Sequence, residues 1–192
     1  MKKIIIALAL GGMLTGCAGF LPPQHDALLA STASCCNNLS SLPYRDLVVG
    51  QRIRDSLGPH TPVFSFVEGK SFFLPLHMVS PDRRTLVIRT YGQNMLYNRN
   101  GHVFVPRITF LTHEHRIIAS VAPDFTVQGP RFTIGESAWR ADVPVPQTAE
   151  FAVVHSTPKE RERVMRMRDS DQAGGYLYTR TGPAGEVEVE LQ

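Results

Sequence analysis

From Thr61 to its last residue the chain is cut into short runs rich in Val, Ile, Phe, Tyr and Thr, separated by Gly, Pro, Asn and Asp. Runs of that length and composition suit extended backbone, where β-branched and aromatic side chains pack on a pleated surface. The pattern predicts strands near 62–67, 70–79, 84–91, 102–111, 115–121, 131–134, 136–142, 149–156, 175–181 and 186–191. Within Arg84–Tyr91, Leu86, Ile88 and Thr90 share one face while Val87, Arg89 and Tyr91 share the other, the period of a half-buried strand. Asn98-Arg99-Asn100-Gly101 accepts the positive φ of a tight turn and reads as a hairpin. Many short strands at this spacing predict an all-β fold, an antiparallel β-sandwich. One helix is expected to interrupt it near 158–169. There Thr157-Pro158-Lys159-Glu160 offers a cap, a proline at the first helical position and a capping-box glutamate, with Val164 and Met167 inward and a stop at Gly174-Gly175.

The first residues are of a different kind. Lys2 and Lys3 precede the apolar run Ile4–Leu10, and Leu14-Thr15-Gly16-Cys17 follows. The run is too short to span a bilayer, and its basic start and small-residue end fit a removable signal. A cysteine directly after Leu-Thr-Gly is similar to a lipobox, so residues 1–16 are expected to be a lipoprotein signal peptide and Cys17 the lipidated first residue. Two or more acyl chains make a lasting anchor, and Ala18 in the following position favours the outer membrane, with the domain facing the periplasm. Residues 17–34 read as a lipidated tether with a short helical candidate at Asp26–Ala30, and 35–192 as one domain. Leu39–Leu47 is expected to hold a turn and pack on that domain. Gln51–Leu57 reads as one or two helical turns ended by Gly58-Pro59.

Charge excludes one class of partner. The net charge of +3 includes Lys2 and Lys3, so without the leader 18 bases face 17 acids, or +1. No basic block with interleaved aromatics points to nucleic acid. Beyond Cys17 the cysteines are Cys35 and Cys36. Neighbouring Cα atoms lie about 3.8 Å apart, below the usual disulfide range, so the two form an unusual adjacent bridge, remain thiols or bridge to another molecule. In each case they are expected to be structural cysteines that help hold the Leu39–Leu47 segment.

Motifs for catalysis are incomplete. Gly69-Lys70-Ser71 resembles the end of a phosphate loop, but Phe64 stands where that loop needs its first glycine. A hairpin turn with Lys70 in solvent is the expectation. His113-Glu114-His115 could chelate a metal from one strand face, yet it lacks the H-E-x-x-H spacing and no third ligand is placed by sequence. A polar strand end is expected, with no metal. Gly135-Glu136-Ser137-Ala138 lacks the closing glycine of a nucleophile elbow. No catalytic residue and no cofactor is expected. Sugar sites use aromatic faces with polar side chains beside them, and Trp139, Tyr91 and Tyr97 are the candidate ligand-binding residues, with Tyr44, Tyr176 and Tyr178 as further possible platforms.

Several segments together resemble the maltose operon periplasmic protein (MalM) family. They are Cys35-Cys36 with Leu-Ser-x-Leu-Pro-Tyr-x-x-Leu (Leu39–Leu47), and Pro62-Val-Phe-Ser-Phe leading to Gly69-Lys70-Ser71, Phe72, Phe73 and Pro75. Val103-Phe-Val-Pro106-Arg with Phe110-Leu111, and Tyr176-Leu-Tyr-Thr179 before Gly182-Pro-x-Gly185, complete the set. The resemblance covers most of 34–190. It implies a non-enzymatic accessory protein of maltose or maltodextrin uptake; this chain differs in its lipobox. The expected partners are a membrane, through the lipid anchor, and an oligosaccharide. The alternative is a structural or assembly lipoprotein that binds an envelope protein.

Overall fold

The computed structural model describes residues 25–79, 85–93, 102–128, 138–168 and 176–192. Two short helices, α1 (His25–Ser31) and α2 (Pro158–Arg161), accompany strands that fall into two sheets. In chain order the first strands are β1 (Arg45–Leu47), β2 (Arg52–Leu57), β3 (Val63–Phe66), β4 (Gly69–Met78) and β5 (Thr85–Gln93). They are followed by β6 (His102–Phe104), β7 (Arg107–Leu111), β8 (Ile117–Val121), β9 (Thr126–Gln128) and β10 (Ala138–Pro144). The last are β11 (Phe151–His155), β12 (Val164–Arg168), β13 (Tyr176–Gly182) and β14 (Gly185–Leu191).

The first sheet has the order β1-β4-β11-β7-β8, with β3 paired to β4. The second runs β12-β13-β6-β5-β10-β9, and β14 lies between β5 and β2. Pairing is antiparallel except for β1 on β4 and β13 on β6, which are parallel. The fold is all-β, as the run pattern predicts. Alternation explains the layering: Phe72, Leu74, Leu76 and Met78 of β4 face Leu86 and Ile88 of β5 and Val187, Val189 and Leu191 of β14 within one apolar core. The expected strand 102–111 is two strands in different sheets. The chain crosses between them at Val105-Pro106, where proline supplies no N–H for a ladder.

Two helical expectations are corrected. Gln51–Leu57 is not helical: Arg52–Leu57 is strand β2, with Ile53 and Leu57 buried and Arg52 and Arg54 turned outward onto Glu190 and Glu186 of β14. The helix expected over 158–169 ends after Arg161, and Val164–Arg168 pairs with β13 instead. Met165 enters an apolar cluster while Val164 is 62% exposed, the reverse of the expected facing. The Asn98–Gly101 turn, the strand near 131–134 and Gly135–Ser137 lie outside the described residues.

Candidate functional site

The face of the first sheet that turns away from the core carries a second apolar cluster, Leu42, Phe64, Phe73, Leu111 and Val153. Two segments cover it. One is the hairpin of β3 and β4, whose turn is Val67-Glu68. The other is the chain from Cys35 to Tyr44. Cys35 and Cys36 are bonded to each other, with Cα atoms 3.8 Å apart. The Cys35 amide donates to the Val63 carbonyl (2.8 Å), and Cys36 packs on the second cluster beside Leu39 and Tyr44. A single 3-10 turn, Leu39–Ser41, follows; it is capped by Asn38, whose side-chain oxygen accepts from the Ser41 amide (3.0 Å) and the Ser40 hydroxyl (2.8 Å). The Tyr44 hydroxyl donates to the Leu39 carbonyl (2.8 Å), and burial pushes its pKa up.

Between these covers opens a groove of about 580 Å³. It is lined by the Asn38–Ser40 turn, the hairpin from Phe64 to Glu68, Thr109 of β7, and Glu114, His115, Ile117 and Ser120 around β8. Its aromatic surface includes Phe66, which stacks on the buried His155 ring at 3.9 Å and 10°. His155, the last residue of β11, is 0% exposed. Its Nε2 lies 2.9 Å from the Thr109 hydroxyl, which is 3.2 Å from the Ser120 hydroxyl. Burial, with the Arg107 guanidinium nearby, pulls the His155 pKa down to about 4. Arg107 itself is paired with Glu160 (2.8 Å) and reaches Ser120 at 3.4 Å. Burial raises the Glu160 carboxyl, but the hydrogen bonds from Arg107 and Thr157 outweigh it and hold the group below its usual value. The formally charged groove residues are both carboxylates, Glu68 and Glu114; a bond from the Thr112 hydroxyl lowers the Glu114 pKa.

The sequence-based candidates sit elsewhere. Trp139 is 1% exposed in the cluster with Val103, Val105 and Met165, so it is a core residue with no face for a sugar. Tyr91 is also buried: its hydroxyl donates to Glu188 (3.1 Å) and Arg54 lies 4.1 Å above its ring. Both expectations of ligand stacking are corrected by this packing. Tyr97 and Cys17 lie outside the described residues. His113 and His115 occupy the turn between β7 and β8 rather than a strand face. His113 contacts Glu150 (3.0 Å), whereas His115 stacks on Phe151 (4.3 Å). Among the described residues, no group of three or more His, Cys, Asp or Glu side chains converges to hold a metal. Lys70 is not free in solvent; its ammonium donates to the Ala30 and Thr32 carbonyls, both at 2.9 Å, at the end of α1.

The groove residues Phe66, Thr109 and Ser120, and His155 buried behind them, are absent from the sequence-based candidates. Their signal is faint: Phe64 and Phe66 alternate on β3, and a histidine ends the apolar run Phe151–Val154. Chemically the groove offers the half-buried rings of Phe66 and His115, apolar side chains such as Val67 and Ile117, a chain of hydroxyls and two carboxylates. The hydroxyl that touches His155 is that of Thr109, and among the described residues no carboxylate meets the other imidazole nitrogen, so the described residues do not supply the orienting third member of a nucleophile triad.

No family model matches the chain, and no curated protein matches it. Among solved structures it is similar to the pre-peptidase C-terminal domain of a collagenase from Bacillus anthracis. The identity is 10% and the TM-score 0.32, over 81% of this chain and 100% of that one; a likeness at that level bears on no functional argument.

Proposed function

We propose that this chain is a non-enzymatic accessory lipoprotein of carbohydrate uptake, hung from the outer membrane by Cys17, that takes up a neutral oligosaccharide in the groove over its first sheet. The observation that supports this best is the company of the Phe66 ring. One face of the ring rests on His155, and the groove beside it combines apolar side chains with hydroxyls and two carboxylates, which suits a pyranose with one apolar face and a polar rim. Each sugar hydrogen bond replaces one to water, a net gain of about 0.5–1.5 kcal/mol, so binding is weak. Titration of linear glucose oligomers into residues 18–192 by calorimetry tests the reading. Trp139, buried in another cluster, is no reporter. The expected outcome is weak binding without release of product, and a roughly tenfold loss in Phe66→Ala.

A second reading has its own support. Val67 at the hairpin tip is 97% exposed and Ile117 56% exposed, both at the groove, which suits an envelope protein partner. No heat up to millimolar sugar, together with crosslinking of Val67-substituted protein to one envelope protein, moves the conclusion there.

A further inference from the structure

We infer that His155 is the positioning residue of the groove, fixing both the aromatic ring and the direction of the hydroxyl that meet a ligand there; this rests on the groove being the binding site. Two groups that line the groove lean on this one imidazole: the Phe66 ring lies parallel to it at 3.9 Å, and the Thr109 hydroxyl is 2.9 Å from Nε2.

The remaining nitrogen decides where the proton sits. Nδ1 is buried and, among the described residues, has no partner in good hydrogen-bond geometry, the backbone of Ser156 being its one polar neighbour, whereas Nε2 has the Thr109 hydroxyl at 2.9 Å. A proton on Nδ1 would leave a buried N–H donor unsatisfied, and such donors are rarer in folded proteins than unsatisfied acceptors. The proton therefore belongs on Nε2, which donates to Thr109. The Thr109 hydroxyl, relieved of serving the imidazole, donates outward to Ser120 or to a ligand oxygen. Ser120 also lies within reach of Arg107 at 3.4 Å, whose guanidinium can only donate, so the Ser120 proton is turned away from both neighbours and toward the groove. The other tautomer would reverse this: Thr109 would give its proton to the imidazole and face the groove as an acceptor only.

This arrangement names what the groove reads. An acceptor oxygen meets the Thr109–Ser120 hydroxyls beside an apolar face over Phe66, while Glu68 and Glu114 accept from hydroxyls and repel anions. A neutral polyhydroxylated ring fits; a sulfated or uronic one does not. The groups facing His155 are Arg107 of β7, Glu160 of α2, the Ser156 backbone and the Thr109 hydroxyl. Since the imidazole stays neutral down to about pH 4, the donor direction holds at every ordinary pH.

The test uses nitrogen NMR of the intact protein labelled at histidine, together with calorimetric titration of a linear glucose hexamer. At pH 7 the His155 signals are expected to show a protonated Nε2 and a bare Nδ1. Binding is expected to fall roughly tenfold in both Thr109→Val and His155→Phe, the latter retaining an aromatic ring under Phe66, and to return in Thr109→Ser. A proton found on Nδ1, or hexamer binding unchanged in His155→Phe, overturns the inference. Wild-type protein that binds no hexamer overturns the sugar reading on its own, and the imidazole spectrum still decides the direction of the Thr109 hydroxyl.

Discussion

A histidine sealed inside a sheet makes folding sensitive to mild acid. The folded pKa of His155 is about 4, below the value of about 6.5 expected in the unfolded chain. Between those values the unfolded state binds a proton that the folded state refuses, so stability falls as pH drops from about 6.5 to 4. The loss from this group is roughly 3 kcal/mol. Urea unfolding at pH 7, 5 and 4 should show that slope in the wild type and lose it in His155→Phe; equal slopes would mean the imidazole is not desolvated. Glu160, whose folded pKa is lowered, acts below this window, because its contribution is present above the unfolded value of about 4.3 and fades as pH falls through the folded one. At this scale the sequence is least legible. Nothing in Phe-Ala-Val-Val-His says that the histidine meets Phe66 from the far side of β4, whereas Leu86, Ile88 and Thr90 share a buried face as their local alternation predicts; the half-buried expectation is corrected on the other face, where Val87 and Tyr91 are covered as well.

Elements whose pattern is local are readable, and those whose pattern depends on a distant partner are not. Ile53 and Leu57, four residues apart, fit a helix face as well as one side of a strand. What decides is β14, which offers Glu186 and Glu190 to Arg54 and Arg52. Likewise Arg161–Arg168 is made of good helix formers, yet pairing with β13 takes the chain into a strand once Glu160 has turned back to Thr157 and Arg107. The turn from β13 into β14 carries its own constraint. Gly185 has φ +156°, and a Cβ there would lie 2.7 Å from Phe104 Cβ and 3.0 Å from its amide nitrogen. Gly185→Ala is expected to destabilise by about 2–3 kcal/mol, read as a lower urea midpoint with unchanged slope; a shift under about 0.5 kcal/mol would show that β6 yields freely.

Across the whole molecule, the outer face of the second sheet is a lattice of opposite charges. Glu190 accepts from Arg52 (2.9 Å) and Arg89 (3.1 Å), and Glu188 accepts from Arg89 (2.9 Å) and Tyr91 (3.1 Å), with the Glu190 side chain only 9% exposed. Removing the Glu190 charge leaves two guanidiniums crowded over a covered strand, so Glu190→Gln should lose about 1–3 kcal/mol, checked by denaturation against the neighbouring Glu186→Gln, where the side chain is 33% exposed and the loss smaller. Those acids belong to β14, which lies between β2 and β5 although β6 to β13 separate it from both in the sequence. Its partner residues Arg52 and Glu190 are 138 positions apart. The consequence is one of timing. As the chain is delivered from its amino end, β2 and β5 emerge before β14 and must wait with bare edges until it arrives between them. If Cys17 carries the anchor proposed above, the chain spends that interval beside the bilayer with one sheet unfinished, and β14 is the strand that closes it.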